Sequence, residues 1–456
     1  MPDPQPSVRK EKDESTHKRI LKLAIPNVLS NLSVPLLGVA DTMLMGRMTD
    51  AKYLGAIALG GILFNFIYWG FGFLRMTTTG LTAQYFGAED RDGAERVLGQ
   101  SVALAFIGAG LVLLLQEVIA YVGFGIMGGD EETKQLARSY YDIRIWAAPA
   151  TLGLFAIQGW LLGMQNARYP LLLTVLVNVT NIALNVWFIY GPMGLKSDGV
   201  ALGTVCAQYL GLAVGAILLF RRYRSFLGAL IQGLRSQGLK HYFGVSADLL
   251  VRTMCLLFVF AFFTSESANM DAQTLAANTI LLQLFYIMSY GVDGFAYAAE
   301  SLTGRFLGAR DRASLIDHLK GIFQWGMGIG LLAAIAYVIA GPVILNAFTD
   351  LEMVLKVAKT YLPWVAAVSF AGAAAFLWDG VYIGATASKA MRNSMLLATV
   401  LVFIPTYFLA TKFIGNHGLW LAMLLFMLAR SVALTVLARR EIIDKVKEKE
   451  VTPVPE

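Results

Sequence analysis

Apolar residues in this chain come in long, nearly unbroken runs, with polar residues gathered between the runs instead of alternating within them. Predominantly apolar stretches of about 20 or more residues recur twelve times, at about 20–46, 54–80, 97–124, 139–164, 170–191, 198–221, 242–265, 273–303, 320–348, 357–384, 393–413 and 417–438. Each is long enough to cross a bilayer. The pattern predicts an all-α integral membrane protein of twelve transmembrane helices, with no room left for a sizeable soluble domain.

The runs also repeat. Leu81-Thr82 and Gly87-Ala88-x-Asp90-Arg91 reappear as Leu302-Thr303 and Gly308-Ala309-x-Asp311-Arg312, 221 positions later. Leu54, Leu63-Phe64 and Gly70 map at the same offset onto Leu275, Leu284-Phe285 and Gly291. Tyr140, Gly159 and Gly163 map onto Tyr361, Gly380 and Gly384. One gap-free offset over most of each half implies an internal duplication, because chance matches would scatter over many offsets. Two six-helix lobes of the same orientation follow, related by an axis along the membrane normal, and such repeats point to a transport pathway between them. The expected organisation is a tail at 1–19, an N-terminal lobe at 20–222, a linker at 223–240, a C-terminal lobe at 241–438 and a tail at 439–456.

Composition agrees. Hydrophobic residues make up 57% of the chain and charged residues 15%, against roughly 25% charge in a soluble domain. The formal charge of +6 is explained by where the basic residues lie, not by nucleic acid. With the N-terminus inside, about 24 Lys and Arg fall in inner segments and about eight in outer ones. That asymmetry places both termini in the cytoplasm. Charged residues ahead of the first run, and the length of that run, argue against a cleavable signal peptide. Cys206 and Cys255 lie inside apolar spans and read as small hydrophobes. The four histidines are dispersed, so neither a metal cluster nor a cofactor is expected.

Ionisable groups within spans are costly and therefore candidates for function. The first span carries Pro26, Pro35 and Asp41. Its prolines remove backbone hydrogen bonds and permit a bend. Asp41 alone could be a carboxylate near a helix end, wetted from outside. The fifth span argues for more: Thr174, Asn178, Asn181 and Asn185 recur at steps of four, three and four, on one helical face. A polar stripe belongs toward the bundle interior, and Thr204 and Gln208 add a smaller polar face on the sixth span. Interhelical hydrogen bonding would account for the asparagines by themselves. With Asp41 in the same half, a proton or cation site is the better reading.

The second half lacks this set, because Asp41, Asn181 and Asn185 map onto Phe262, Val402 and Thr406. It holds Asp248 and Arg252, Asp293 and Glu300, Asp379 and Arg430 instead. Asp248 with Arg252 reads most simply as an i,i+4 ion pair, and Asp379 as a partner across helices for Arg252 or Arg430. Structural pairing is favoured here, with Arg252, Asp293, Glu300 and Asp379 as an alternative second-lobe polar site.

Several segments together resemble the multidrug and toxic compound extrusion (MATE) transporters. They are Pro26, Pro35 and Val39-Ala40-Asp41-Thr42; Gly80-Leu81-Thr82-Ala83-Gln84 through Gly87; Gln158-Gly159-x3-Gly163-x-Gln165-Asn166-Ala167-Arg168; and Asn181-x-x-Leu184-Asn185. Asp293-Gly294-Phe295-Ala296-x-Ala298-Ala299-Glu300 resembles the DNA-damage-inducible, DinF-like branch. The resemblance covers nearly the whole chain. It implies two six-helix lobes facing each other in a V, acting as a monomer in a bacterial-type inner membrane. It also implies export of cationic or lipophilic organic compounds against an inward proton or sodium flow, with no enzyme activity. The coupling carboxylate of the branch corresponds to Asp41, and its polar cluster to Asn178, Asn181, Asn185 and Thr204.

Two departures shape the expectation. Asn185 stands where the family commonly has an aspartate, which leaves one carboxylate and tilts the coupling ion toward the proton over sodium at the Asp41 cluster. Arg252 stands where another branch carries a glutamate, which disfavours a second-lobe cation site at Asp379. The expected cycle is protonation of Asp41 from outside, bending of the first helix at Pro26 and Pro35, and release of cargo. Burial supplies the bias toward the neutral carboxyl. A sodium-coupled exporter and a flippase for lipid-linked substrates of the same superfamily remain alternatives. A major facilitator is disfavoured by its faint loop signature and the missing long central loop.

Overall fold

The computed structural model describes residues 15–45, 51–128, 130–223 and 238–446. Most of the linker expected at 223–240 and the outer parts of both tails therefore lie outside the described residues. Helices account for nearly everything else, because a backbone in lipid must satisfy its own hydrogen bonds. They are α1 (Thr16–Met45), α2 (Ala51–Gly70), α3 (Phe73–Gly87), α4 (Arg91–Leu114), α5 (Gln116–Ile126), α6 (Glu131–Arg144), α7 (Ala148–Gly163), α8 (Arg168–Tyr190) and α9 (Ser197–Arg222). The second half continues with α10 (Leu239–Met270), α11 (Ala272–Ala309), α12 (Arg312–Asn346), α13 (Glu352–Gly384), α14 (Ser388–Leu396), α15 (Ile404–Ile414) and α16 (Asn416–Glu441). A π-helical segment, Leu397–Phe403, joins α14 to α15.

Twelve of the resulting spans are long and apolar enough to cross a membrane. They coincide with the twelve apolar runs, with ends shifted by up to ten residues. Where a run contains a turn, one span holds two helices: α2 and α3 share Lys52–Gly87, broken at Phe71-Gly72. Polar ends are capped from the side chain. Asp130 accepts from the Thr133 amide at 2.8 Å, and Asp271 from the Thr274 amide at 2.7 Å. The Thr133 amide and hydroxyl hold the Asp130 carboxyl below the usual carboxylate range. The Thr274 hydroxyl and amide do the same for Asp271.

The duplication is written into the backbone. Helices α2 and α11 begin at Ala51 and Ala272, α4 and α12 at Arg91 and Arg312, α6 and α13 at Glu131 and Glu352. The fourth and tenth spans end at Gly163 and Gly384. All four pairs stand 221 residues apart. Asp90 and Asp311, another such pair, cap their helices through the amides of Gly93 and Ser314. Among the described residues, four non-glycine residues have positive φ: Glu89 (59°) and Arg310 (56°), Gln165 (61°) and Thr386 (50°). Each pair again differs by 221, and the hydrogen bonds agree. Gln165 and Asn166 donate to Leu162 and Leu161, while Thr386 and Ala387 donate to Ile383 and Tyr382, all at 2.9–3.0 Å. This is the Schellman closure that satisfies the last carbonyls of a helix.

The chain divides into two compact units. Among the described residues, one comprises 29–45, 51–82, 90–128, 130–223 and 238–243; the other 15–28, 83–89 and 244–446. Within the first, α8 and α9 pack together, α9 also meets α6 and α7, and α4 lies on α7. Within the second, α13 is the central helix, packed against α11, α12 and α16.

Glycine sets how closely these helices approach. A Cβ on Gly159 would sit 2.6 Å from the Arg75 carbonyl oxygen, and one on Gly380 2.2 Å from that of Ala296. The partners, like the glycines, are 221 apart. In the second unit the ends of α3 and α11 meet reciprocally. A Cβ on Gly87 would lie 1.8 Å from the Arg305 carbonyl oxygen, and one on Gly308 1.9 Å from that of Gln84. Backbone touches backbone at these crossings, as membrane helices allow through small residues.

Gly87→Ala, Gly308→Ala or Gly380→Ala is expected to cost at least about 1–3 kcal/mol by overpacking. Each should lower both the melting temperature and the monodisperse fraction on size-exclusion chromatography in detergent. Gly61→Ala and Gly110→Ala, which meet nothing within 4 Å, should leave both unchanged.

Candidate functional site

The polar stripe of α8 is hydrogen-bonded along its whole length in the first unit. Asn181 and Asn185 are buried. The Asn185 amide donates to Asn181 Oδ1 at 3.1 Å, and the Asn181 amide donates to Thr204 Oγ1 on α9 at 3.0 Å. Thr204 passes its own hydroxyl proton to the Val200 carbonyl at 2.9 Å. Helix α9 comes this close because Gly203 faces Asn185: a Cβ there would lie 2.1 Å from Asn185 Oδ1. Three of the residues singled out by sequence, Asn181, Asn185 and Thr204, are thus one cluster.

The N-terminal half of the stripe bonds to α1 instead. The Asn178 amide donates to Ser33 Oγ at 3.0 Å and to the Ser33 carbonyl at 3.3 Å. The Ser33 hydroxyl donates to the Ser30 carbonyl at 2.7 Å, and the Ser30 hydroxyl to Thr174 Oγ1 at 3.0 Å. Thr174 donates to the Pro170 carbonyl and also receives Gln158 Nε2 from α7, at 3.4 Å. Asn178 therefore belongs to this α1–α8 seam and is not hydrogen-bonded within the Asn181–Thr204 cluster. Ser30, Ser33 and Gly203 were not anticipated, and Gln158 was named only within a family-like segment. The one hint of the serines in the sequence is that they stand three apart between two prolines.

Helix α1 runs unbroken through Pro26 and Pro35 to Met45. Asp41 is part of that helix, but its side chain lies outside the described residues. It stands eight positions beyond Ser33, about 12 Å along the axis.

In the second unit two of the singled-out carboxylates are paired with arginines. Asp379 Oδ2 accepts from Arg430 Nη2 at 2.5 Å and from Arg252 Nη2, joining α13, α16 and α10. All three residues are buried. The pairing of Asp379 with arginines across helices is as the spacing suggested. That of Asp248 with Arg252 is not. Asp248 instead accepts from Ser388 Oγ at 2.8 Å and Arg392 Nη1 at 2.6 Å. An i,i+4 spacing lets two side chains meet, but a deeply buried guanidinium is better served by a buried carboxylate facing it than by one a turn along its own helix. Asp293 is half-buried on α11, and Glu300 is buried two turns further on.

At Phe262, the position corresponding to Asp41, the second unit places an aromatic cluster. Phe262 meets Tyr407 edge-on at 4.8 Å and Phe403 at 5.8 Å. The Tyr407 hydroxyl donates to Glu266. In the same unit Asn278 and Asn416 exchange amide hydrogen bonds at 2.9 and 3.1 Å, and Trp420 Nε1 donates to Asn278 at 3.0 Å.

Asp379→Asn removes the carboxylate on which two buried guanidinium groups are paired, a change expected to cost about 3–5 kcal/mol. The drop should appear as a lower melting temperature of the purified protein. Replacing Arg252, Asp379 and Arg430 together by Leu or Met should recover most of it, because the apolar set removes the stranded charge.

The MatE family model matches the chain once in each half, over residues 26–187 and 249–408. DNA damage-inducible protein F of Escherichia coli (strain K12) is 35% identical over 428 residues, covering 93% of this chain and 93% of that protein. The probable multidrug resistance protein NorM of Photorhabdus laumondii is 22% identical over 439 residues, covering 92% of this chain and 95% of its own length. In fold, a solved MOP superfamily transporter from Pyrococcus furiosus superposes with a TM-score of 0.87 at 18% identity, over 98% of this chain and 100% of that one. A duplicated set of membrane helices, matched twice by one family model and along nearly its full length by a curated relative, belongs to the MatE family: this chain is a membrane transporter of the multidrug and toxic compound extrusion type, not an enzyme.

Proposed function

We propose that this transporter exports cationic or lipophilic organic compounds in exchange for protons, with Asp41 as the coupling carboxylate and bending of α1 at Pro26 and Pro35 as the coupled motion. The observation that carries this reading is the hydrogen-bonded seam joining α1 to the polar face of α8. The helix bearing Asp41 and the helix bearing the asparagines are thereby one mechanical unit. Protonating Asp41 neutralises the charge that holds nearby donors, and α1, weakened by two prolines, can then bend. Loss of the proton on the inner side resets it.

Asn185 favours the proton over sodium. It supplies a carbonyl oxygen, but not the second negative charge that would help hold a dehydrated hard cation. The two repeats act as lobes, 20–222 and 241–438, of a monomer in a bacterial-type inner membrane, with both termini in the cytoplasm. The name of the NorM relative supports organic drugs as cargo for this chain.

The test is efflux of a fluorescent cationic dye from vesicles, driven in turn by a proton gradient and by a sodium gradient. Native protein should respond to protons alone, and Asp41→Asn should lose at least tenfold in rate. Export that requires sodium would move the coupling ion to a metal held by the asparagines. A fully active Asp41→Asn would remove Asp41 from the mechanism.

A further inference from the structure

We propose that Ser30 and Ser33 of α1, with Thr174 and Asn178 of α8, form a latch that holds the stretch between the two prolines against α8 and opens whenever α1 bends. The proposal rests on the reading that α1 bends during transport. These four are positioning residues: they act on the coupling helix without touching cargo.

The location of the bonds is the first argument. Pro26 and Pro35 lack amide hydrogens, so the carbonyls of Lys22 and Asn31 lose their helix donors. The weakened stretch is therefore about 27–34, and both latch serines lie in it. The second argument is direction. The Thr174 hydroxyl proton is already given to the Pro170 carbonyl at 2.9 Å, so its oxygen is left as an acceptor for Ser30. Gln158 braces the same oxygen from α7. The donor order is fixed, and Ser30 has one good place to point.

The third argument concerns the Ser33 carbonyl. It belongs to the hydrogen-bond ladder of α1 yet also receives the Asn178 amide at 3.3 Å. A side chain that shares a ladder carbonyl weakens the helix at that point. The latch thus fastens α1 to α8 and, by the same contact, prepares the site at which α1 yields. Interhelical hydrogen bonds in membranes are individually weak, which suits a device that must open in every cycle. Removing one should shift an opening equilibrium about threefold, and removing two nearly tenfold.

The corresponding stretch of the second repeat is built differently. Ser30, Ser33, Thr174 and Asn178 map onto Val251, Met254, Met395 and Thr399, and the helix equivalent to α8 is interrupted by the π-helical segment. A latch of this kind exists only in the unit that carries Asp41.

The experiment is amide hydrogen exchange over residues 26–40 of the reconstituted full chain, together with dye-efflux kinetics, for Ser30→Ala, Thr174→Val, the double variant, and Thr174→Ser. Ser30→Ala and Thr174→Val should each raise exchange of that stretch about threefold and alter turnover by a comparable factor. The dye concentration for half-maximal rate should stay constant. The double variant should do no more than Thr174→Val, because that change already removes the bond Ser30 makes, and Thr174→Ser should behave as native. Exchange and turnover unchanged in Ser30→Ala, or additive effects in the double variant, would overturn the latch. If those variants are silent while Asp41→Asn is dead, the coupling role of Asp41 stands and the latch alone falls. Melting temperatures of all variants identify any that are misfolded, and Ser30→Thr provides a second hydroxyl-bearing control.

Discussion

Helices in lipid gain little from hiding apolar surface, since the surroundings are as apolar as they are, so association depends on how closely backbones can approach. That constraint governs this molecule. Glycines are placed where one helix crosses another at backbone contact, as at Gly159 on Arg75 and Gly380 on Ala296. Each such crossing fixes a rotation and a height for the helices involved, and the polar faces inherit both. The cluster of Asn181, Asn185 and Thr204 follows the same rule, because only Gly203 lets α9 approach Asn185. The polar groups of this cluster are small and neutral, and the packing aims them.

The two halves share a backbone and differ in what is done with polarity. In the second unit several buried polar groups are closed on one another: Asp379 on two arginines, Asp248 on Arg392, Asn278 on Asn416 and Trp420. Such closed sets tie α10, α11, α13 and α16 to fixed neighbours, and breaking one is costly. The first unit instead holds an open ladder of hydroxyls and amides, each contributing little. A duplicated scaffold thus carries buried ion pairs in one half and, along α8, a ladder of weak hydrogen bonds in the other.

The large features were legible in the sequence for identifiable reasons. Twelve apolar runs have the length that a bilayer demands, and the stripe at 174, 178, 181 and 185 has the period of a helix face. Both signals arise within one segment. What escaped arises between segments. Ser30 and Ser33 are small hydroxyls that in most helices bond to their own backbone, so nothing in the chain distinguishes the ones that reach a neighbour. Asp248 and Arg252 have ideal local spacing, and only the fold reveals that Arg392 and Asp379 compete for them. Gly203 is one small residue among many until Asn185 is seen against it. The turns at Gln165 and Thr386 lack the glycine that commonly announces a left-handed residue.

Those turns carry a further consequence. Glutamine and threonine, or glutamate and arginine, have no chemistry in common, yet each pair holds the same uncommon torsion at matched positions. Side chains there have drifted apart while the path of the main chain has not. Inheritance in a duplicated protein is therefore partly a record of dihedral angles, kept by carbonyls that must be capped whichever residue does the capping. A comparison of internal repeats by their rare torsions would recognise such an ancestry after every identical residue had been replaced.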